Sequence, residues 1–234
     1  MGTRVDVIGI DADDTLWHNE TLFSVTHDRF AELLADHVDT DELLQRMLET
    51  ERRNLQLFGY GAKGFTLSMI ETALAVTNGD LPGAHVQAIL DLGKALLSHP
   101  VDLLDGVRDA IESIADRRLV LITKGDLFHQ ETKVAGSGLG ELFERIEIVS
   151  EKDEATYRKV LADLGVEPEH FLMVGNALRS DVLPVVAIGG RAVHVPYEVD
   201  WAHELVPEAD LPTEGWWRLP TLALLPGLLT EIEA

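Results

Sequence analysis

The sequence predicts an α/β fold, a doubly wound parallel sheet with an all-helical domain inserted after the first strand. Three features carry this expectation. Val5–Asp11 (VDVIGID) is a short β-branched run that closes on acidic residues, and it reads as a buried strand. From about Glu20 to His99 the apolar period turns helical and strand patterns vanish. After Pro100, short apolar runs alternate with helical ones, as in a parallel sheet covered on both faces. The expected boundaries are a core of 1–17 and 101–234 and a helical cap of 18–100.

Each element follows from local pattern. Phe30, Leu33, Leu34 and His37 fall at i, i+3, i+4 and i+7, the stripe of an amphipathic helix. Leu43, Leu44, Met47 and Leu48 continue the pattern, with Asp41 as the expected N-cap. Thr66–Val76 and Ala84–Leu97 predict two more helices. In the second half, Val107–Ala115 predicts a helix, Leu119–Thr123 a strand and Phe128–Val134 a helix. Gly136-Ser137-Gly138 then stops that helix. Ile146–Val149 predicts a strand, Glu154–Leu164 a helix, Phe171–Gly175 a strand, Asp181–Ile188 a short helix and Ala192–Val195 a strand. Beyond residue 195 lie five of the nine prolines and three of the four tryptophans, so the tail reads as irregular chain packed on the core.

Composition excludes several function classes. The 234 residues carry 19 basic against 41 acidic side chains, a formal charge of −22. A phosphate backbone or an anionic bilayer surface needs a basic footprint, so neither nucleic acid nor membrane is an expected partner. No apolar run approaches the roughly 20 residues of a membrane span, and Met1–Arg4 leads into a strand without a signal-peptide pattern. The expected location is cytoplasmic. The absence of cysteine excludes a disulfide scaffold, a thiol nucleophile and thiolate metal sites. The nine histidines show no metal-binding spacing.

In open α/β sheets, ligands bind beyond the carboxyl ends of the strands. Asp11, Asp13, Asp14 and Thr15 follow the first strand. Thr123 and Lys124 close the second, Lys152 follows the third, and Asn176 with Asp181 follows the fourth. Carboxylates, a hydroxyl and a lysine gathered on one edge suit a magnesium ion and a phosphoryl group.

These residues resemble the motifs of the haloacid dehalogenase superfamily. Asp11-Ala12-Asp13-Asp14-Thr15 is similar to its D-x-D-x-T, and Thr123 and Lys152 stand at its second and third motif positions. Gly175–Asp181 is similar to its G-D-x-x-x-x-D, except that Asn176 replaces the first acid. The resemblance spans roughly residues 5–195 and implies a Rossmann-like core with a C1-type helical cap. It also implies a Mg²⁺-dependent phosphatase of the phosphatase branch, acting on a small phosphate ester. Asp11 becomes the nucleophile, Asp13 the general acid and base, and Thr123 and Lys152 the phosphoryl donors. Asp11, Asp13, Asp181 and Asn176 form the implied metal set, with Asn176 lowering its charge by one. A polar turn residue is the alternative for Asn176. The second acid, Asp13, is the position that haloacid dehalogenases themselves lack.

Lys124, beside Thr123, is expected on the phosphate or substrate, against a solvated loop lysine. His18 and Trp17 follow the first motif, where relatives gate the cap, and either is a candidate substrate contact. Local packing is the alternative for Trp17. Gly59–Gly64 matches G-x-G-x-x-G but follows a helical stretch, so it reads as a loop between helices rather than a dinucleotide site. In C1-capped relatives such a loop sorts substrates, which makes Tyr60, Lys63 and Phe65 candidate substrate contacts. A phosphotransferase or phosphomutase acting on a sugar phosphate shares the first chemical steps. A catalytically silent phosphate-binding protein is the third reading, and Asn176 is its support.

Overall fold

A computed structural model describes residues 4–199, 201 and 203–234. Strand β1 (Val7–Ile10) pairs in parallel with β2 (Arg118–Lys124) on one side and β4 (Phe171–Gly175) on the other. Beyond β2 lies β3 (Arg145–Val149), and beyond β4 lie β5 (Arg191–His194) and β6 (Trp216–Arg218). The order among the described residues is β3-β2-β1-β4-β5-β6, all parallel. It reverses direction between β1 and β4, the switch point at which the following loops diverge and leave a crevice.

The central strands are apolar throughout because both faces are covered. Alternation sends Ile8, Ile10, Leu119, Leu121, Leu172 and Val174 into one core. Val7, Val120, Ile122, Phe171 and Met173 enter the other, against Tyr157, Val160 and Leu161 of α7 (Glu154–Leu164).

The chain divides into two compact units. One holds the sheet and comprises the chain up to Glu20, Val101–Lys124 and Thr132–Ala234. The other comprises Thr21–Pro100 with Gly125–Glu131. Helices α1 (Glu20–Leu34), α2 (Thr40–Phe58), α3 (Ala62–Val76) and α4 (Gly83–Ser98) build this second unit around Phe30, Leu34, Leu43, Met47, Met69 and Ile89. Asp39, not Asp41, caps α2, its carboxylate accepting the Asp41 N–H at 3.0 Å. The short α5 (Val107–Ser113) precedes β2, and α6 (Leu127–Ser137) follows it. The first residues of α6 cluster with the helical unit, whereas sequence patterning places them in the core. Lys63 secures them there through both carboxylate oxygens of Asp126, at 2.9 Å each.

The tail is more regular than expected. β6 extends the sheet, and α9 (Leu225–Glu233) packs Leu225, Leu228 and Leu229 on the core. Pro226 does not break α9 because it stands in the first turn, where its missing N–H has no intrahelical partner to lose. Among the described residues, no helix is long and apolar enough to cross a membrane.

Candidate active site

Main-chain and side-chain hydrogen bonds hold the loop after β1. The Asp11 N–H donates to Val174 O at 2.9 Å, tying the loop to β4. Asp14 adopts a left-handed backbone conformation (φ 60°), which Asp and Asn tolerate better than most residues. Its buried carboxylate accepts the N–H groups of Asn19 (2.8 Å) and Glu20 (3.0 Å), covering the start of α1. Burial pushes the Asp14 carboxyl up to about 7, against the pull of those N–H groups. Its carboxylate serves the turn.

Lys152 lies at the centre of the site. Its side chain is 2 % exposed, and Nζ donates to Asp11 Oδ1 at 2.5 Å and to Asp181 Oδ1 at 2.7 Å. Burial alone would lower the lysine's pKa, but the two carboxylates outweigh it and hold the ammonium charged. Burial pushes the Asp11 carboxyl up to about 7 against the pull of Lys152, with Asp181 pushing further upward. Asp181 sits on a wide π turn, Leu178–Val182, and accepts the Ala177 N–H at 3.0 Å. Only glycine fits before this loop, because a Cβ on Gly175 would lie 2.1 Å from Asp181 Oδ2. Thr15 links the first and fourth loops. Its hydroxyl donates to Asp11 Oδ2 at 3.2 Å and accepts the Asn176 N–H at 3.0 Å. Thr123 is buried near the end of β2.

Asp13 faces a different set of donors. Lys133, from α6, donates to Oδ1 at 2.6 Å and Oδ2 at 2.7 Å, and Trp17 Nε1 donates to Oδ1 at 2.6 Å. Sequence reasoning misses Lys133. It stands 120 residues away, and a lysine on a helix carries no local signal of its partner. Trp17 stands four residues after Asp13, but the sequence reads its indole only as packing or a substrate contact.

Residues 5–189 match the family described as haloacid dehalogenase-like hydrolase. The chain belongs to the haloacid dehalogenase-like hydrolases. A crystal structure of such a hydrolase from Xanthomonas campestris is 43 % identical, with a TM-score of 0.87 over 99 % of this chain and 95 % of that one. A predicted phosphoglycolate phosphatase from Haemophilus somnus is 16 % identical (TM-score 0.65, 97 % and 98 % covered). An L-2-haloacid dehalogenase from Xanthobacter autotrophicus is also 16 % identical (TM-score 0.68, 97 % and 98 % covered). These last two likenesses show the fold alone. No sequence among the curated proteins matches the chain.

Whether this haloacid dehalogenase-like hydrolase fits a hard cation turns on Asn176. The oxygen end of its amide stands 3.2 Å from Asp11 Oδ2 and from the main-chain oxygen of Asp13. The Thr15 hydroxyl joins them, 3.2 Å from Asp11 Oδ2 and 3.4 Å from Asn176 Oδ1. A carboxylate, an amide and a main-chain oxygen are hard oxygen donors of the kind that Mg²⁺ takes. With the amide reversed, its N–H groups donate to the same two oxygens. Lys133 and Trp17 occupy the Asp13 carboxylate oxygens, and its main-chain oxygen faces Asn176. Among the described residues, no cluster of three or more His, Cys, Asp and Glu side chains could hold a metal. A cation among these oxygens would be held by an amide and a main-chain carbonyl beside one carboxylate.

The remaining candidates divide. Lys124 is no solvated loop lysine. Its Nζ donates to Glu204 Oε1 at 2.5 Å and Ser180 Oγ at 2.8 Å, so the tail contributes a carboxylate that the sequence does not announce. His18 Nδ1 pairs with the Tyr197 hydroxyl at 2.6 Å, and its N–H donates to Asp102 O. Phe65 lies in α3. It is 5 % exposed, packed edge-on against Phe23 and His27 in the helical unit. Tyr60 is half-buried in the turn between α2 and α3, and Lys63 is committed to Asp126. The Gly59–Gly64 segment joins two helices, so no strand-to-helix phosphate cradle exists there.

Proposed function

We propose that this hydrolase is a Mg²⁺-dependent phosphatase that cleaves a small phosphorylated metabolite through an aspartyl-phosphate on Asp11. One observation carries the reading. The two acids of the first motif stand two residues apart, yet each has its own ammonium, Lys152 at Asp11 and Lys133 at Asp13. That separates the acids into two roles, nucleophile and proton carrier. Carbon–halogen cleavage has no use for a second, tethered carboxylate.

In the first step an Asp11 carboxylate oxygen attacks phosphorus, the ester P–O bond breaks, and Asp13 delivers its proton to the departing oxygen. In the second step Asp13 takes a proton from water, the water oxygen attacks phosphorus, and the bond to Asp11 breaks. Phosphate leaves and Asp11 returns to its starting form. Lys152 spends two of its three N–H groups on Asp11 and Asp181, which leaves one for a phosphoryl oxygen. Thr123 adds a hydroxyl donor from the end of β2. Asp11, Asn176 and the Asp13 main-chain oxygen would hold Mg²⁺, with Asp181 beside them. When bound, such an ion would neutralise phosphoryl charge. The helical unit takes the part of a C1-type cap that sorts substrates.

The test is Mg²⁺-dependent hydrolysis of 4-nitrophenyl phosphate by the wild type and by Asp11→Asn. We expect turnover in the first and its loss in the second, and activity retained in Asp11→Asn overturns the proposal. A phosphomutase would return isomerised sugar phosphate instead of free phosphate, so product analysis separates the two.

A further inference from the structure

We propose that Lys133 is the positioning residue for Asp13, a role that rests on the phosphatase reading above. Its ammonium meets three acceptors: Asp13 Oδ1 (2.6 Å), Asp13 Oδ2 (2.7 Å) and Asn19 Oδ1 (3.2 Å). An ammonium has three N–H groups, so none remains for a phosphoryl oxygen. Lys133 is therefore not a second phosphate ligand. Lys152 and Lys133 divide the work, one serving the nucleophile and the reacting group, the other serving only the acid/base.

The tether is well rooted. The Lys133 side chain is 12 % exposed, so its attraction to Asp13 is less screened than a surface pair. Its neighbour Val134 is buried in the sheet core, and the Ser137 hydroxyl donates to Val134 O at 2.7 Å. On the far side, the buried Trp17 indole holds Asp13 Oδ1 at 2.6 Å, and the Asn19 backbone is anchored on Asp14. Asp13 needs such a hold. Its neighbour Asp11 is also a carboxylate, and like charges in a desolvated turn push a free side chain toward solvent. Fixed at both oxygens, the carboxylate keeps one orientation for the departing oxygen and for the attacking water.

Loss of that aim falls hardest on esters whose leaving group needs a proton. The experiment compares phenyl phosphate with 4-nitrophenyl phosphate, matched in shape but not in leaving-group quality, at saturating Mg²⁺. In Lys133→Met, kcat on phenyl phosphate should fall about tenfold further than on 4-nitrophenyl phosphate, with KM within about threefold of wild type. Lys133→Arg, which can still fork onto the carboxylate, should recover part of the loss. Equal losses on both esters, or no loss, overturn the proposal. A crystal structure of Lys133→Met gives a readout independent of turnover. A rotated Asp13 carboxylate supports the tether, and an unmoved one refutes it. If the wild type cleaves neither ester, the phosphatase reading falls, and the crystal structure still decides whether Lys133 positions Asp13.

Discussion

Replacing Lys152 by methionine should destabilise the sheet unit more than any surface change, because it strands carboxylate charge in the interior. The lysine bridges Asp11 Oδ1 and Asp181 Oδ1 in a site where Asp11 is 6 % exposed and Asp181 is fully buried. Methionine conserves most of the volume, so the packing penalty is small. Removing one member of a buried ion pair typically costs about 3–5 kcal/mol, because the remaining charge is desolvated and uncompensated. Protonation gives partial relief. The Asp11 carboxyl is already pushed up to about 7 by burial, so near neutral pH it takes up a proton more readily than an ordinary acid. The expected loss near pH 7.5 is therefore about 3 kcal/mol, at the lower end of that range. A raised folded-state pKa places stability at low pH and removes it as pH rises, so the penalty should be small near pH 4 and grow through pH 7 and above. Urea unfolding in EDTA, followed by tryptophan fluorescence, measures this. The double variant Lys152→Met with Asp181→Asn should be more stable than Lys152→Met alone, since the second change removes a stranded charge. A loss under about 1 kcal/mol, or a second change that only adds to the first, would refute the reasoning.

Two further outcomes follow from named residues. Asn176→Asp should tighten Mg²⁺ binding about tenfold by restoring a carboxylate to the ligand set. The same change should destabilise the protein in EDTA, because an acid cannot donate to Asp11 Oδ2 and the Asp13 oxygen as the reversed amide does. Calorimetric Mg²⁺ titration and melting in EDTA read the two effects, and unchanged affinity would remove Asn176 from the cation's station. At the base of the sheet, Glu233 accepts both Arg117 N–H arms at 2.7 and 2.8 Å and the Val5 N–H at 3.1 Å. The Arg117 hydrogen bonds lower the Glu233 carboxyl from 4.5 to about 2. That stability is present above the ordinary glutamate pKa and is lost as pH falls toward 2. The pair is about a quarter exposed, so after discounting for screening Glu233→Gln should cost about 1–2 kcal/mol at pH 7. The gap should shrink in urea unfolding near pH 3, and a pH-independent gap contradicts the pair's contribution.

β1, β2 and β4 end where apolar runs meet polar residues, and these ends are legible because a strand covered on both faces is apolar along its buried length. Glu154–Leu164 is legible to the residue, since Asp153 caps it and Gly165 ends it. β6 is not legible, because three residues with two tryptophans show no period. α9 is obscured by Pro226, which reads as a breaker although the first turn accepts it. The burial of Phe65 is not legible, because a loop pattern says nothing about which side chain the neighbouring helices bury.

The local pattern by itself determined the α/β order, the helical insertion and the four loops that carry Asp11, Thr123, Lys152 and Asp181. Hydrophobic periodicity and strand ends are local properties, and the chain states them directly. Tertiary structure alone decided how charge is arranged on those loops. The excess of 22 negative charges suggests a protein that repels anions. The fold instead draws Lys124, Lys133 and Lys152 against chosen carboxylates, each lysine side chain no more than 12 % exposed. Those pairings join residues 80, 120 and 141 positions apart. Charge attraction in a desolvated site depends on distance in space, which no spacing along the chain encodes.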